Sequence, residues 1–186
     1  MTGLPTLQSE RLVLRPFRVD DAVVVQRLVG VREVADTTLT IPHPYPEGMA
    51  ETWIGTHADA WERRDRATLA ITSAAEGVVG AISLHLALIH RRAELGYWVG
   101  RPFWNRGYAT EAVRAILTFG FQSLDLNRIH ASHLVRNPAS GRVMQKAGMR
   151  FEGTLRQHVV KDGRAEDLAE YALLRADVTV VAGAAI

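Results

Sequence analysis

The chain is predicted to fold as an α/β (α+β) protein. A mixed, mostly antiparallel central sheet of about six to seven strands is flanked by about four helices, in the order β-α-α-β-β-β-α-β-α-β-β. Three observations predict it. Strand-like runs at 67–73, 78–89 and 94–99 follow one another across short connections, the patterning of hairpins. Val113, Ile116, Leu117, Gly120, Phe121 and Leu124 then recur at helical intervals, forming the apolar stripe of a helix that lies on a sheet. A last pair of strands, 151–160 and 169–174, closes around Lys161-Asp162-Gly163-Arg164.

In chain order, residues 11–17 alternate like a strand, and Asp20 and Asp21 open a helical pattern that runs to about Val29. Segment 37–47 is a loop, stiffened by Pro42, Pro44 and Pro46 around His43 and Tyr45. Helical spacing returns over 47–64, with Met49, Trp53, Ile54, His57 and Trp61 near one face. Ala74-Ala75-Glu76-Gly77 turns the first meander strand into the second. Strand 94–99 leads through the striped helix to strand 128–135, a parallel crossover expected to be right-handed, with its helix N-terminus beside the strand ends. Asn137 takes the N-cap position and Pro138 the first position of another helix, which Gly148 ends.

No repeat, linker or composition break divides the 186 residues, so one domain is expected, with core 7–175 and tail 176–186. A hydrophobic share of 47% with 23% charged residues places the chain among soluble globular proteins. The absence of cysteine excludes disulfides, thiolate metal sites and a cysteine nucleophile. The net charge is +2, and no basic run exceeds the pairs Arg63-Arg64 and Arg91-Arg92, which argues against a nucleic-acid tail. No charged-then-apolar leader opens the chain and the apolar stretch 178–186 is too short to span a bilayer, so no membrane is expected and the cytoplasm is the expected compartment. His130 and His133 face opposite sides of a predicted strand, as do His85 and His90, so no metal site is expected. Neither a P-loop nor a dinucleotide fingerprint is present.

The clearest chemistry lies at Arg106-Gly107-Tyr108-Ala109-Thr110. There the backbone turns from a strand end into a helix, whose first amides have no intrahelical partner and whose dipole end is positive. Gly107 and Ala109 are small, so a diphosphate can approach the main chain itself.

Four segments, in this order and spacing, resemble the GCN5-related N-acetyltransferases (GNAT), and within them the ribosomal-protein N-terminal alanine acetyltransferases (RimJ/RimL-like). They are Glu10-Arg11-Leu12-Val13-Leu14-Arg15-Pro16-Phe17; Glu94-Leu95-Gly96-Tyr97-Trp98-Val99; Trp104-Asn105-Arg106-Gly107-Tyr108-Ala109-Thr110-Glu111-Ala112; and the stretch from Asn137-Pro138-Ala139-Ser140 to Ala147-Gly148. The resemblance covers about residues 7–175 and implies the GNAT fold. It implies transfer of an acetyl group from acetyl-CoA to a primary amine, of the protein N-terminal type, by direct attack in a ternary complex. Residues Asn105, Arg106, Gly107, Tyr108, Ala109 and Thr110 are implied to hold the diphosphate of coenzyme A. The backbones of Tyr97, Trp98 and Val99 are implied to meet pantetheine as an added strand would, with an amide near Val99 facing the oxyanion. Asn137 and Ser140 are implied as further cofactor contacts, Glu94 as the general base and Ser140 as proton donor to the leaving thiolate. His43 and Tyr45 are implied on the acceptor side. One departure stands out: Trp104 occupies a position where the wider superfamily has Gln or Arg, so no side-chain role carries over to it.

Plainer readings accompany each residue. Glu94 reads as a strand-end carboxylate for Arg91 or Arg92, Ser140 as a first-turn serine bonded to backbone, and Asn137 as a helix cap. The side chains of Tyr97 and Trp98 read as core. Arg101 and Arg106 read as phosphate partners or as solvated surface, and loop 37–47 as a structural turn. Other acceptors, such as a small amine or antibiotic, and larger acyl donors are alternatives. So are a non-catalytic acyl-CoA-binding module and, least supported, an RNA-associated protein. A homodimer is open.

Overall fold

The computed structural model describes residues 3–182; residues 183–186 of the expected tail lie outside them. Eight strands form one sheet in the order β1-β2-β3-β4-β5-β6-β8-β7. They are β1 (Leu7–Gln8), β2 (Leu12–Arg15), β3 (Arg66–Ser73), β4 (Gly77–Ala87), β5 (Arg92–Val99), β6 (Arg128–Leu134), β7 (Arg150–Lys161) and β8 (Arg164–Leu174). Every neighbouring pair is antiparallel except β5 with β6, the expected parallel crossover. The count is eight rather than six to seven. The strand that went unread is β1, whose two residues are too few to show alternation.

The helices are α1 (Ala22–Val29), α2 (Arg32–Asp36), α3 (Met49–Gly55), α4 (His57–Glu62), α5 (Tyr108–Gln122), α6 (Pro138–Lys146) and α7 (Arg175–Ala182). About four were expected. The single helix read over 47–64 divides at Thr56, whose hydroxyl donates to Trp53 O at 2.7 Å and so competes with the helical ladder. Five-residue α2 is shorter than two helical turns, which leaves no readable stripe. The opening of α1 follows the aspartates as expected. Asp21 accepts the Arg18 amide at 2.7 Å and the Arg15 guanidinium at 2.7 and 2.9 Å.

The sheet carries apolar layers on both faces. Successive strand residues point to opposite sides, and β5 shows the division. Ala93, Leu95, Tyr97 and Val99 pack into the core under α5, with Leu69, Ile82, Leu84, Ile116 and Ile129. Trp98 packs on the other face against Val25, Val29, Ala50 and Ile54. The stripe read from α5 is buried at Val113, Ile116, Leu117, Gly120 and Phe121. A mid-helix glycine costs helix propensity, and Gly120 is there for proximity. A Cβ on it would stand 2.6 Å from Ile129 Cδ1.

Two details of the sheet place the site. Strands β5 and β6 pair only at Arg92, Ala93 and Glu94 with Arg128, Ile129 and His130, and beyond that the ladder ends. Strand β4 carries an irregularity opposite Ile71/Thr72, next to Gly80. A Cβ on Gly80 would strike the Trp98 carbonyl oxygen, so the two strands lie unusually close there.

His57 is 3% exposed and wedged between Phe17 and Trp53, with ring centroids at 5.4 and 4.5 Å. Neither ring nitrogen has a hydrogen-bond partner. Burial, aided by the Arg66 charge, pulls its pKa down to about 4. The unfolded chain takes up this proton first, near the ordinary value of 6.5, so stability falls as pH drops from there toward 4. The difference corresponds to roughly 3 kcal/mol. His57→Phe is expected to flatten the stability profile across that window and to preserve stability at pH 7, as read by urea midpoints at stepped pH. An unchanged acid slope would contradict this assignment.

Candidate active site

After β5 the chain makes a short turn at Arg101–Phe103 and enters α5 through two left-handed residues, Asn105 (φ +62°) and Gly107 (φ +80°). Such a conformation suits glycine and is costly for a branched side chain. The first helical bond of α5 runs from the Glu111 amide to Gly107 O at 3.1 Å. The amides of Tyr108, Ala109 and Thr110 therefore lack a helical acceptor.

Glu111 fixes this loop against the start of the sheet. Its carboxylate accepts the Ser9 hydroxyl at 2.8 Å, the Arg11 amide at 2.7 Å and Arg11 Nε at 2.8 Å. Burial opposes its ionisation, but these donors together hold its pKa below the ordinary value. Arg11 Nη1 also donates to Arg106 O at 3.1 Å, and the same guanidinium lies 3.3 Å from where a Gly107 Cβ would stand.

A groove of about 360 Å³ runs between this loop, the end of β5 and α6. Tyr97, Trp98, Val99, Asn105, Gly107, Tyr108, Ala109, Thr110, Asn137 and Ser140 all line it. Arg106 does not. Its exposed side chain pairs with Glu76 at 2.8 Å and lies over the Phe103 ring. Arg101 is likewise outside the groove, stacked over Trp104. Arg142 and Lys146 line it instead, and were missed. Their signal was available, since basic residues four apart share one face of a helix.

The three strand residues are not equivalent. The Gly100 amide donates to Val79 O at 2.9 Å, and the Trp98 carbonyl points at Gly80. The main chain of Trp98 is therefore spent on β4, a correction to its expected backbone role. By the two-residue period of the strand, the backbone groups of Tyr97 and Val99 face the edge that β6 leaves open. Trp104, the residue with no assigned role, donates its indole N–H to Val99 O at 2.6 Å. Asn137 holds the cap position without a side-chain capping bond. Its Nδ2 reaches Thr37 O at 3.3 Å instead and ties α6 to loop 37–47.

A second cavity of about 570 Å³ opens on the other side. Glu94 lines it, with Arg66, His85, Tyr45 and an apolar wall that includes Val25, Val29, Met49 and Trp53. The two spaces share Thr37, Thr38, Tyr97, Trp98 and Ser140, and so join where β5 and β6 part. Tyr45 lines this cavity, whereas His43 is exposed and lines neither space. The plain reading of Glu94 is not seen among the described residues, where Arg91 pairs with Asp125 at 2.9 Å and neither Arg91 nor Arg92 forms an ion pair with Glu94. Opposite Glu94 on β4 is His85. Burial lowers the His85 pKa, the Arg66 charge lowers it further and Glu94 acts against both.

Ser140 sits at the junction. Its hydroxyl lies 2.7 Å from the Tyr97 hydroxyl, which also donates toward Ser140 O at 3.1 Å. The ring of Tyr97 packs against the core as expected, but its hydroxyl reaches the functional helix. Burial pushes the Tyr97 pKa up to about 12, with the Ser140 bond pulling the other way, so the phenol keeps its proton at neutral pH. Among the described residues, no group of three His, Asp or Glu side chains is arranged to hold a metal ion.

Residues 11–150 match the acetyltransferase (GNAT) domain family. The chain belongs to the GNAT acetyltransferases. It is 29% identical over 187 residues to the uncharacterized N-acetyltransferase YoaA of Bacillus subtilis (strain 168), covering 92% of this chain and 97% of that protein. It is 29% identical over 96 residues to the ribosomal-protein-serine acetyltransferase of Escherichia coli (strain K12), covering 51% and 54% of the two chains. The solved structure of the ribosomal L7/L12 α-N-protein acetyltransferase RimL in complex with coenzyme A superimposes with a TM-score of 0.84. That alignment covers 91% of this chain and 98% of RimL, and at 18% identity it speaks for the fold.

Gly107→Val forces a β-branched residue into a left-handed turn and pushes on Arg11. The substitution is expected to weaken coenzyme A binding at least about tenfold, measured by calorimetry on a variant shown to be folded by circular dichroism. Unchanged affinity in a folded variant would contradict a role for this turn in binding coenzyme A.

Proposed function

We propose that this GNAT protein transfers an acetyl group from acetyl-CoA to the N-terminal amine of a protein substrate by direct attack in a ternary complex. The observation that carries the proposal is the junction of the two spaces at Ser140, with Glu94 in one and the amides of α5 in the other. The residues present fit coenzyme A. Three consecutive amides lack helical acceptors, Gly107 removes any side chain over them, and the open edge of β5 offers main-chain groups of the kind an extended pantetheine pairs with. Support for the cosubstrate also comes from RimL, which carries coenzyme A on the same fold. Support for a protein acceptor comes from the ribosomal-protein acetyltransferase among the relatives. A cysteine-free chain needs no oxidising compartment, in keeping with a cytoplasmic enzyme.

When bound, acetyl-CoA supplies the activated acyl carbon. An N-terminal amine, with a pKa of about 8, is closer to its neutral form at pH 7 than a lysine at about 10.4. Glu94 takes the remaining proton, directly or through a water, as the amine attacks. The Val99 amide faces the open edge, where it can donate to the developing oxyanion. Ser140 donates a hydrogen bond from its hydroxyl to the departing sulfur, which leaves as the thiolate while Glu94 holds the proton taken from the amine. Tyr97 orients that hydroxyl through the 2.7 Å contact.

Thiol release with a panel of N-terminal peptides tests the assignment. Glu94→Gln is expected to lower kcat by roughly 100-fold and to shift the pH–rate profile, with coenzyme A affinity retained. Tyr97→Phe is expected to lower kcat less than Ser140→Ala does, since it removes an orienting contact rather than the donor itself. An unaltered pH–rate profile in Glu94→Gln would remove Glu94 as the base.

A further inference from the structure

The second cavity has two charged ends. Arg66 begins β3, its Cα partner on β4 is His85, and the partner of His85 on β5 is Glu94. Directly opposed residues on neighbouring strands share a face, so the three stand in one row, and all three line the cavity. Strands lie about 4.8 Å apart, which sets the backbones of Arg66 and Glu94 roughly 10 Å from each other.

Among the described residues, Glu94 is the only carboxylate lining this cavity, and Arg66 its only Lys or Arg. Other arginines of the chain have acidic partners, among them Arg15 with Asp21, Arg11 with Glu111 and Arg136 with Glu166. Arg66 forms no ion pair among the described residues. Its Nη2 reaches the Thr56 hydroxyl at 3.3 Å, and its Nε is buried without a partner. A guanidinium held in a partly desolvated wall without an anion is costly, and a ligand carboxylate that meets it forms a strong, charge-assisted contact. Burial and the Arg66 charge both disfavour protonation of intervening His85. Neutral His85 therefore separates the two charges without cancelling either.

We infer that the acceptor pairs its reactive amine with a carboxylate that Arg66 binds. This rests on the reading of the second cavity as the acceptor site. With the amine at the Glu94 and Ser140 end, the anion lies toward β3 and the apolar body of the acceptor lies against Val29, Met49 and Trp53. In an extended peptide rising about 3.3 Å per residue, an acidic side chain at the second or third position spans that interval. A polyamine fits poorly, because its second cation would face Arg66 with only one carboxylate in the cavity to offset it.

The test compares matched peptide amides that differ in one group: Ala-Asp-Ala-Ala-amide, Ala-Asn-Ala-Ala-amide and Ala-Lys-Ala-Ala-amide, with free aspartate and spermidine as further arms. Thiol release should show kcat/KM for the aspartyl peptide exceeding that for the asparaginyl peptide by about tenfold or more. In Arg66→Gln this ratio should fall toward one, and Arg66→Lys should keep part of it, with circular dichroism as the folding control. Free aspartate turning over faster than the aspartyl peptide would also support the inference and would assign the carboxylate to a small molecule. Equal rates for Asp and Asn peptides, a ratio that survives Arg66→Gln, or a preference for spermidine would overturn it. If no arm releases thiol, the catalytic reading fails separately. Calorimetry of the Asp and Asn peptides against the coenzyme A-loaded protein then still decides the inference, by whether the Asp peptide binds more tightly and loses that advantage in Arg66→Gln.

Discussion

Three residue pairs hold the middle of this sheet together. Strands β5 and β6 pair at Arg92, Ala93 and Glu94, and the pairing does not continue past Glu94. Longer pairing would bury the edge of β5 in a continuous ladder, and neither space could reach the other. Because the ladder stops at Glu94, the carboxylate stands at the point of divergence and the main chain of Tyr97 and Val99 is left facing an opening. Backbone groups left unpaired in this way require partners. At Val99 the Trp104 indole supplies one, and the remainder of the edge is the natural seat for an extended ligand. Helix α6 fills the far side of the wedge and delivers Ser140 to the Tyr97 hydroxyl.

An opening in a sheet needs outside support, and the hydrogen bonds show where it comes from. On the side of the α5 groove, Glu111 gathers Ser9 and Arg11 from the first hairpin onto the first turn of α5. On the side of the second cavity, loop 37–47 is tied at several points. Lys161, buried at 6% exposure, donates from the β7–β8 hairpin to Ile41 O at 2.8 Å. Gln26 donates to Tyr45 O at 3.2 Å, and Asn137 to Thr37 O at 3.3 Å. Arg136 donates to Asp36 O at 2.7 Å, just before the loop. The wall of the second cavity is thus secured by α1, by the entry to α6 and by the last hairpin. Those elements are distant in sequence and share no visible motif.

That distance explains what could and could not be read in advance. The apolar stripe of α5, the meander and the parallel crossover are written in local periodicity, and they are where the sequence places them. The left-handed residue at Gly107 is equally local, since a glycine just before a helix carries its own explanation. The break at Thr56 was hidden because a hydroxyl competing with the helix ladder leaves the apolar spacing of 47–64 intact. Strand β1 was hidden by its length. At the site, residues on one strand or one helix turn were legible, and pairings across strands were not. The Arg66–His85–Glu94 row depends on a register that no single segment encodes. The Tyr97 hydroxyl meeting Ser140 depends on how α6 leans into the gap, and Arg106 turning to Glu76 depends on the turn between β3 and β4. His43 was misplaced for a similar reason: the composition of its loop suggests an acceptor wall, but only the packing decides that Tyr45 faces inward.

The most direct test of this architecture reads the main chain itself. In a titration of isotopically labelled protein with coenzyme A, backbone amide shifts should be largest at Gly107, Tyr108, Ala109 and Thr110, with a second group at Tyr97 and Val99. Large shifts confined to residues outside the α5 entry and the open edge of β5 would contradict the proposal that the parted strands and the helix start form one cofactor seat.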